Sequence, residues 1–171
     1  MKVEKTKLEG VLLIKPDTFE DFRGKYVSPY NKAEFEKAGI SVEFVCEDYS
    51  TSFKGVLRGI HADTSNWKLI SCRGGRFYFV VVNCDKDSKE FGKWESFILS
   101  DENAFQVLVP PKFGNGHFAL SDHIVFHYLQ SHYYDPARQS SYRYNDPRFN
   151  IWWPTKNPIL SQRDEAGKYV D

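Results

Sequence analysis

The chain has 171 residues, 23 lysines and arginines against 23 aspartates and glutamates, and an aromatic share of 16%. That length suits one domain with a real core, taken as 1–171, and is short for two. Balanced charge without a basic block points away from nucleic acid or an anionic membrane surface, and without a signal-type stretch or a run of about 18 apolar residues we expect a soluble, cytoplasmic protein.

Nine short runs rich in β-branched and aromatic residues follow one another: "GVLLIKP", "VEFVCED", "KGVLRGIHAD", "WKLISC", "RFYFVVVNC", "WESFILS", "FQVLVPP", "GHFALS" and "IVFHYLQS". Clusters of Gly, Pro, Asp, Asn and Ser separate them, the pattern of an all-β sandwich or barrel. Between the first two runs, "NKAEFEKAG" (31–39) offers Asn31 as a cap, apolar Ala33, Phe35 and Ala38 at helical spacing, and Gly39 as a stop. It predicts one short helix. From 135 to 171 the chain is rich in Pro, Asn, Asp and Trp without periodicity, which suggests an ordered wrap over the barrel. Cys46, Cys72 and Cys84 are too scattered for a zinc or redox motif and are expected to be buried thiols in a reducing compartment.

One run carries more chemistry than a core strand needs. "VLRGIHAD" (56–63) holds Arg58, His61 and Asp63. Strand alternation places Leu57, Gly59, His61 and Asp63 on one face and Arg58 and Ile60 on the other. A site using both Arg58 and His61 therefore needs a bulge at Gly59 or a strand end near His61. Three readings of His61 are open. It is a hydrogen-bonded core histidine; or a metal ligand, since His61-x-Asp63 with a distant His117 is the outline of a two-histidine, one-carboxylate iron site; or a proton carrier. Against the metal stands Lys68, seven residues beyond His61, whose ammonium opposes a divalent cation. Proton transfer needs a base, an orienting carboxylate, an acid on the other side of the substrate and a cation. His61, Asp164, Tyr128 and Lys68 are of those types. Spacing alone does not bring them together, and singly Lys68 and Asp164 read as solvated charges and Tyr128 as a core aromatic.

Across nearly the whole chain the segments "FEDFRGKY", "STSFKGVLRGIH", "WKLISCRGGRF", "VVVNCDKDSKEFGKWESFILSDENAFQVLVPPKFGNGHFALS", "YNDPRFNIWWP" and "LSQRD" resemble, in order and spacing, the dTDP-4-dehydrorhamnose 3,5-epimerase family. The resemblance implies an all-β fold of the cupin-type jelly roll (double-stranded β-helix), with short helices and the C-terminal wrap. It also implies a homodimer with exchanged strands, and neither metal nor organic cofactor. By position it makes His61 the catalytic base, Asp164 its partner, Lys68 the active-site lysine and Tyr128 the acid. Tyr134 falls on a second active-site tyrosine, and Arg23 and Arg58 on arginines that hold the substrate and its diphosphate.

The chain also departs from the family. Asn115 stands at the usual histidine of "HGF" and His117 two places on; Cys46 and Asp48 replace "Q-x-N"; Asp63 replaces the glutamine of "LHxQ"; Ser28 replaces a glutamate. Asn115, His117 and Asp63 are thus substrate-side candidates of altered character. "RGIHAD" with "PPKFGNGH" is similar to a branch acting on GDP-linked 4-keto sugars, the heptose epimerases of bacterial capsule synthesis. The resemblance thus implies a GDP-4-keto-heptose inverted at carbon 3, carbon 5 or both, with a dTDP-4-keto-6-deoxyhexose as the alternative. Asp48 or Asp63 would then accept hydrogen bonds from guanine. Two rivals are an iron-dependent oxygenase, which requires Asp63 and His117 as ligands, and a non-catalytic sugar-nucleotide binder, which has no use for His61, Asp164 and Tyr128 together.

Overall fold

The computed structural model describes residues 1–170. Its strands are β1 (Lys2–Lys5), β2 (Leu12–Lys15), β3 (Thr18–Asp21), β4 (Gly24–Val27), β5 (Cys46–Phe53), β6 (Leu57–Asp63), β7 (Lys68–Gly74), β8 (Arg76–Asn83), β9 (Trp94–Ser100), β10 (Gln106–Val109), β11 (Phe113–Ala119), β12 (His123–Gln130) and β13 (Gln139–Ser141). One antiparallel sheet runs β1-β2-β10-β7-β12-β5, a second β13-β6-β11-β8-β9, and β3 and β4 form a separate hairpin. The two large sheets face each other as a jelly roll. All nine expected strand runs contain a strand, and among the described residues no helix is long and apolar enough to cross a membrane.

Period-2 geometry explains why some runs alternate and others do not. On β8, Phe77, Phe79 and Val81 join Ile70, Val107, Ile124 and Phe126 of the other sheet in the central core. The intervening Tyr78, Val80 and Val82 face outward, where Phe149, Trp153 and Val170 of the C-terminal wrap cover them. Both faces being buried, "RFYFVVVN" reads as continuous apolar sequence, and each side chain so buried contributes about 1.5–3 kcal/mol. The wrap is pinned by buried Asp146, whose carboxylate accepts from the Arg148 N–H at 2.8 Å and the Val170 N–H at 2.6 Å.

The outer face of the six-stranded sheet is covered by helix α1 (Lys32–Lys37), through Phe35 and by Ile40 beyond it. Asn31 caps the helix by accepting from the Glu34 N–H, and Gly39 ends it at φ +82. "VEFVCED" becomes a strand only from Cys46, because pairing with β12 ends at Gln130↔Cys46 and residues 42–44 meet no further strand. Cys72 and Cys84 are buried, which pushes their thiols up to about 11 and about 12; Cys46, expected to be buried too, is half-buried.

Candidate active site

The cleft that gathers the predicted residues opens between the two large sheets. It has a volume of about 290 Å³, and its walls include Arg58, His61, Lys68, Asn115, His117, Tyr128 and Tyr134. β6 supplies Arg58 and His61 because it carries the expected bulge: Asn115 pairs with His61 but His117 pairs with Arg58, so β6 spends one residue more than β11. Gly59 makes this possible. Its φ is +129, and a Cβ there would stand 2.5 Å from the Gly116 Cα, so no other residue fits. The bulge resets the alternation and turns Arg58 and His61 to one cavity.

His61 is held from behind. Its Nε2 lies 2.7 Å from Asp164 Oδ1, and Asp164 also accepts from Ser161 Oγ at 2.7 Å and the Gly59 N–H at 3.3 Å. Asp164 sits on helix α2 (Gln162–Glu165), which Ser161 caps. Burial pushes the Asp164 carboxyl up, but the hydrogen bonds from His61, Ser161 and Gly59 and the charge of His61 outweigh it and leave it below the usual carboxylate value. An ionised carboxylate only accepts, so Nε2 carries the proton and Nδ1 is the free basic nitrogen. Nδ1 has no protein partner among the described residues.

Across the cleft, Lys68 of β7 and Tyr128 of β12 are both mostly buried. Burial lowers the Lys68 ammonium, opposed by nearby Asp63 and aided by Arg163. Burial raises the Tyr128 phenol, and Asp48 and Cys46 push it the same way against Arg58. Arg58 is anchored by Ser52 Oγ at 3.0 Å and the Thr51 carbonyl at 3.1 Å. His117 is stacked on Phe126 at 4.2 Å and held neutral, its pKa pushed down to about 3 by burial, Arg58 and His61. His117 Nε2 and Asn115 Oδ1 are buried without a partner.

Two predicted site residues lie elsewhere. Asp63 is buried but is not part of the cleft wall: it accepts from the Ser65 and Asn66 N–H groups and from Gln139, closing the turn after β6. Its carboxylate is therefore not available to read a base. Arg23 is exposed in the β3–β4 hairpin and paired with Asp21 at 2.6 Å, away from the cleft. With His61 tied to Asp164 and Asp63 turned into its own loop, the outlined iron site does not assemble, and no cluster of three or more His, Cys, Asp or Glu suited to a metal occurs among the described residues. Arg163, Gln130 and Gln139 also line the cleft and were missed from the sequence. Only Arg163, adjacent to Asp164, left a signal there.

Comparison with known proteins supports the same direction. Residues 5–171 match the profile of the family described as dTDP-4-dehydrorhamnose 3,5-epimerase. The dTDP-4-dehydrorhamnose 3,5-epimerase of Shigella flexneri is 39% identical over 176 residues, covering 100% of this chain and 97% of that protein. The crystal structure of dTDP-6-deoxy-D-glucose-3,5-epimerase from Legionella pneumophila Philadelphia 1, in complex with dTDP-4-keto-L-rhamnose, superposes with a TM-score of 0.93 at 34% identity, covering 98% of this chain and 92% of that one. The Bacillus anthracis dTDP-4-dehydrorhamnose 3,5-epimerase with TDP and PPi bound gives a TM-score of 0.94 at 35% identity, with 99% of each chain covered. The protein is thus an epimerase, an isomerase of nucleotide-linked sugars on a cupin-type jelly roll. It belongs to the dTDP-4-dehydrorhamnose 3,5-epimerase family. The expected GDP-heptose finds no support in these relatives, which are named for dTDP sugars.

Proposed function

We propose that this chain, as a single cytoplasmic domain, inverts carbons 3 and 5 of a dTDP-4-keto-6-deoxyhexose, the substrate class in its relatives' names. The observation that carries the reading is the His61–Asp164 pair, 2.7 Å apart, opening onto a cleft that also holds Lys68 and Tyr128. A 4-keto group acidifies the hydrogens on carbons 3 and 5, because the carbanion delocalises into an enolate. His61 Nδ1 takes the proton, and buried Asp164 stabilises the resulting imidazolium. Lys68 faces the enolate oxygen, where a preformed positive charge in a poorly hydrated cleft lowers the barrier most. Tyr128 returns a proton from the opposite side, which inverts the centre. Arg58, with guanidinium donors left over from its two anchors, takes the diphosphate. Tyr134, Asn115 and His117 complete the substrate wall.

The reading includes a homodimer. The β3–β4 hairpin presents Phe19, Phe22 and Tyr26 to solvent, at 67%, 98% and 67% exposure, and β5 is an unpaired sheet edge. A second copy covers both and gives Arg23 a route to the partner's diphosphate. Light scattering that finds a monomer at micromolar concentration would remove this part. For the reaction, the test is incubation with dTDP-4-keto-6-deoxy-D-glucose in deuterium oxide, with GDP-4-keto sugars alongside. Deuterium is expected at carbons 3 and 5 of the dTDP sugar. Exchange confined to the GDP sugars, or at carbon 3 alone, refutes the corresponding part.

A further inference from the structure

The cleft contains one carboxylate among its lining residues, Asp48. An acid is an odd neighbour for a diphosphate, so its geometry matters. Asp48 on β5 pairs directly with Tyr128 on β12; cross-strand partners project to the same face with Cβ atoms about 5 Å apart. Its Oδ2 accepts from Gln130 Nε2 at 2.6 Å, and no protein group bonds Oδ1 among the described residues.

The direction of that hydrogen bond is fixed from far away. The Ser131 and His132 N–H groups can only donate, and both donate to Asn66 Oδ1, at 3.0 and 3.2 Å. The Asn66 amide nitrogen must then point the other way, to Gln130 Oε1 at 3.0 Å. Gln130 is left with its NH₂ toward Asp48. Asn66 and Gln130 are both buried, at 3% and 5% exposure, so a backbone turn dictates, through two amides, that Asp48 is an acceptor with one oxygen held and one free. Desolvated amide chains of this kind resist rearrangement.

We propose that Asp48 is a positioning residue of the sugar subsite: Oδ2 is fixed by Gln130, and Oδ1 accepts a hydrogen bond from a sugar ring hydroxyl beside the carbon that Tyr128 reprotonates. This rests on the epimerase reading above. Like-charge repulsion keeps the diphosphate at the Arg58 side and leaves only the neutral sugar to approach Asp48. The same carboxylate, after burial, holds the neighbouring Tyr128 phenol toward its protonated form, the form able to donate.

Asp48→Asn is the test. It keeps the shape and can keep the Gln130 contact through its carbonyl, but it turns the free end from acceptor to donor. Asp48 is an exposed edge-strand residue, so folding is not at stake. With dTDP-4-keto-6-deoxy-D-glucose, kcat should fall by about 10- to 100-fold, the worth of a charged hydrogen bond. dTDP affinity should stay within about threefold, and the alkaline limb of the kcat profile should move to lower pH. Gln130→Leu, which frees the carboxylate without removing it, should give a smaller loss of kcat. A kcat within about twofold of the parent, or a loss of kcat with an unmoved alkaline limb, overturns the assignment. A parent enzyme that exchanges no deuterium into any dTDP sugar instead overturns the epimerase reading, and Asp48's role with it.

Discussion

Replacing His117 by phenylalanine should make the protein more stable, and the gain should grow as the medium becomes acidic. His117 is 3% exposed, stacked on Phe126 with its ring only 11° from parallel, and its Nε2 has no hydrogen-bond partner. Phenylalanine keeps the stacked ring and removes the orphaned nitrogen, worth about 1–3 kcal/mol at pH 7. Acid adds a proton-linked contribution. The folded imidazole, desolvated and facing Arg58 and His61, has its pKa pushed down from 6.5 to about 3. Between those values the unfolded chain binds more protons than the folded one, so His117 costs stability as pH falls through that window. Its cost is about 2 kcal/mol at pH 5 and about 3 kcal/mol at pH 4. Urea unfolding of both proteins at pH 7, 6 and 5, followed by tryptophan fluorescence, measures the gap, and titrating groups not coupled to His117 cancel in the difference. A gap that does not widen between pH 7 and pH 5 would refute the burial argument, and a variant less stable than the parent at pH 7 would refute the orphaned-atom argument.

Other substitutions probe the site and the wrap. His61→Asn should lower kcat by roughly 100- to 10,000-fold, the range of general base catalysis, while calorimetry finds dTDP bound as before; near-normal deuterium exchange would remove His61 from the role of base. Tyr128→Phe should spare exchange more than net inversion, because His61 can still remove and replace a proton on its own side, whereas equal loss of both in one NMR time course would mean Tyr128 is not the acid. Asp146→Ala strips two backbone N–H groups of their acceptor and should cost about 2–4 kcal/mol in thermal unfolding, with kcat at 25 °C changed little.

What the sequence disclosed and what it hid follow from the range of the interactions involved. Strands buried on one or both faces announce themselves, since burial selects apolar residues at the strand period; hence β6 to β12 are legible. β1 and the β3–β4 hairpin bury little, and "MKVEKTK" and "FEDFRGKY" carry no such pattern. α2 has four residues, too few for helical periodicity, so Asp164 was a carboxylate of the right type whose place behind His61 only the resemblance implied. Asp63 shows how local geometry misleads. Alternation puts it on the His61 face, yet the two N–H groups of its own turn claim the carboxylate.

The departures from the family pattern prove more informative about place than about base. Cys46, Asp48, Asn115 and His117 are far apart in the chain, but three of them line the cleft and Cys46 lies against Gln130, which fixes Asp48. The guanine reading requires Asp48 or Asp63 to face the base. Asp48 instead sits beside Tyr128, the acid of the proposed mechanism, and Asp63 is closed off. The replacements leave the His61–Asp164 hydrogen bond at 2.7 Å and both anchors of Arg58 in place. Under the proposed mechanism, that is the pattern expected of an enzyme that keeps its family's proton chemistry and adjusts its grip on the ring.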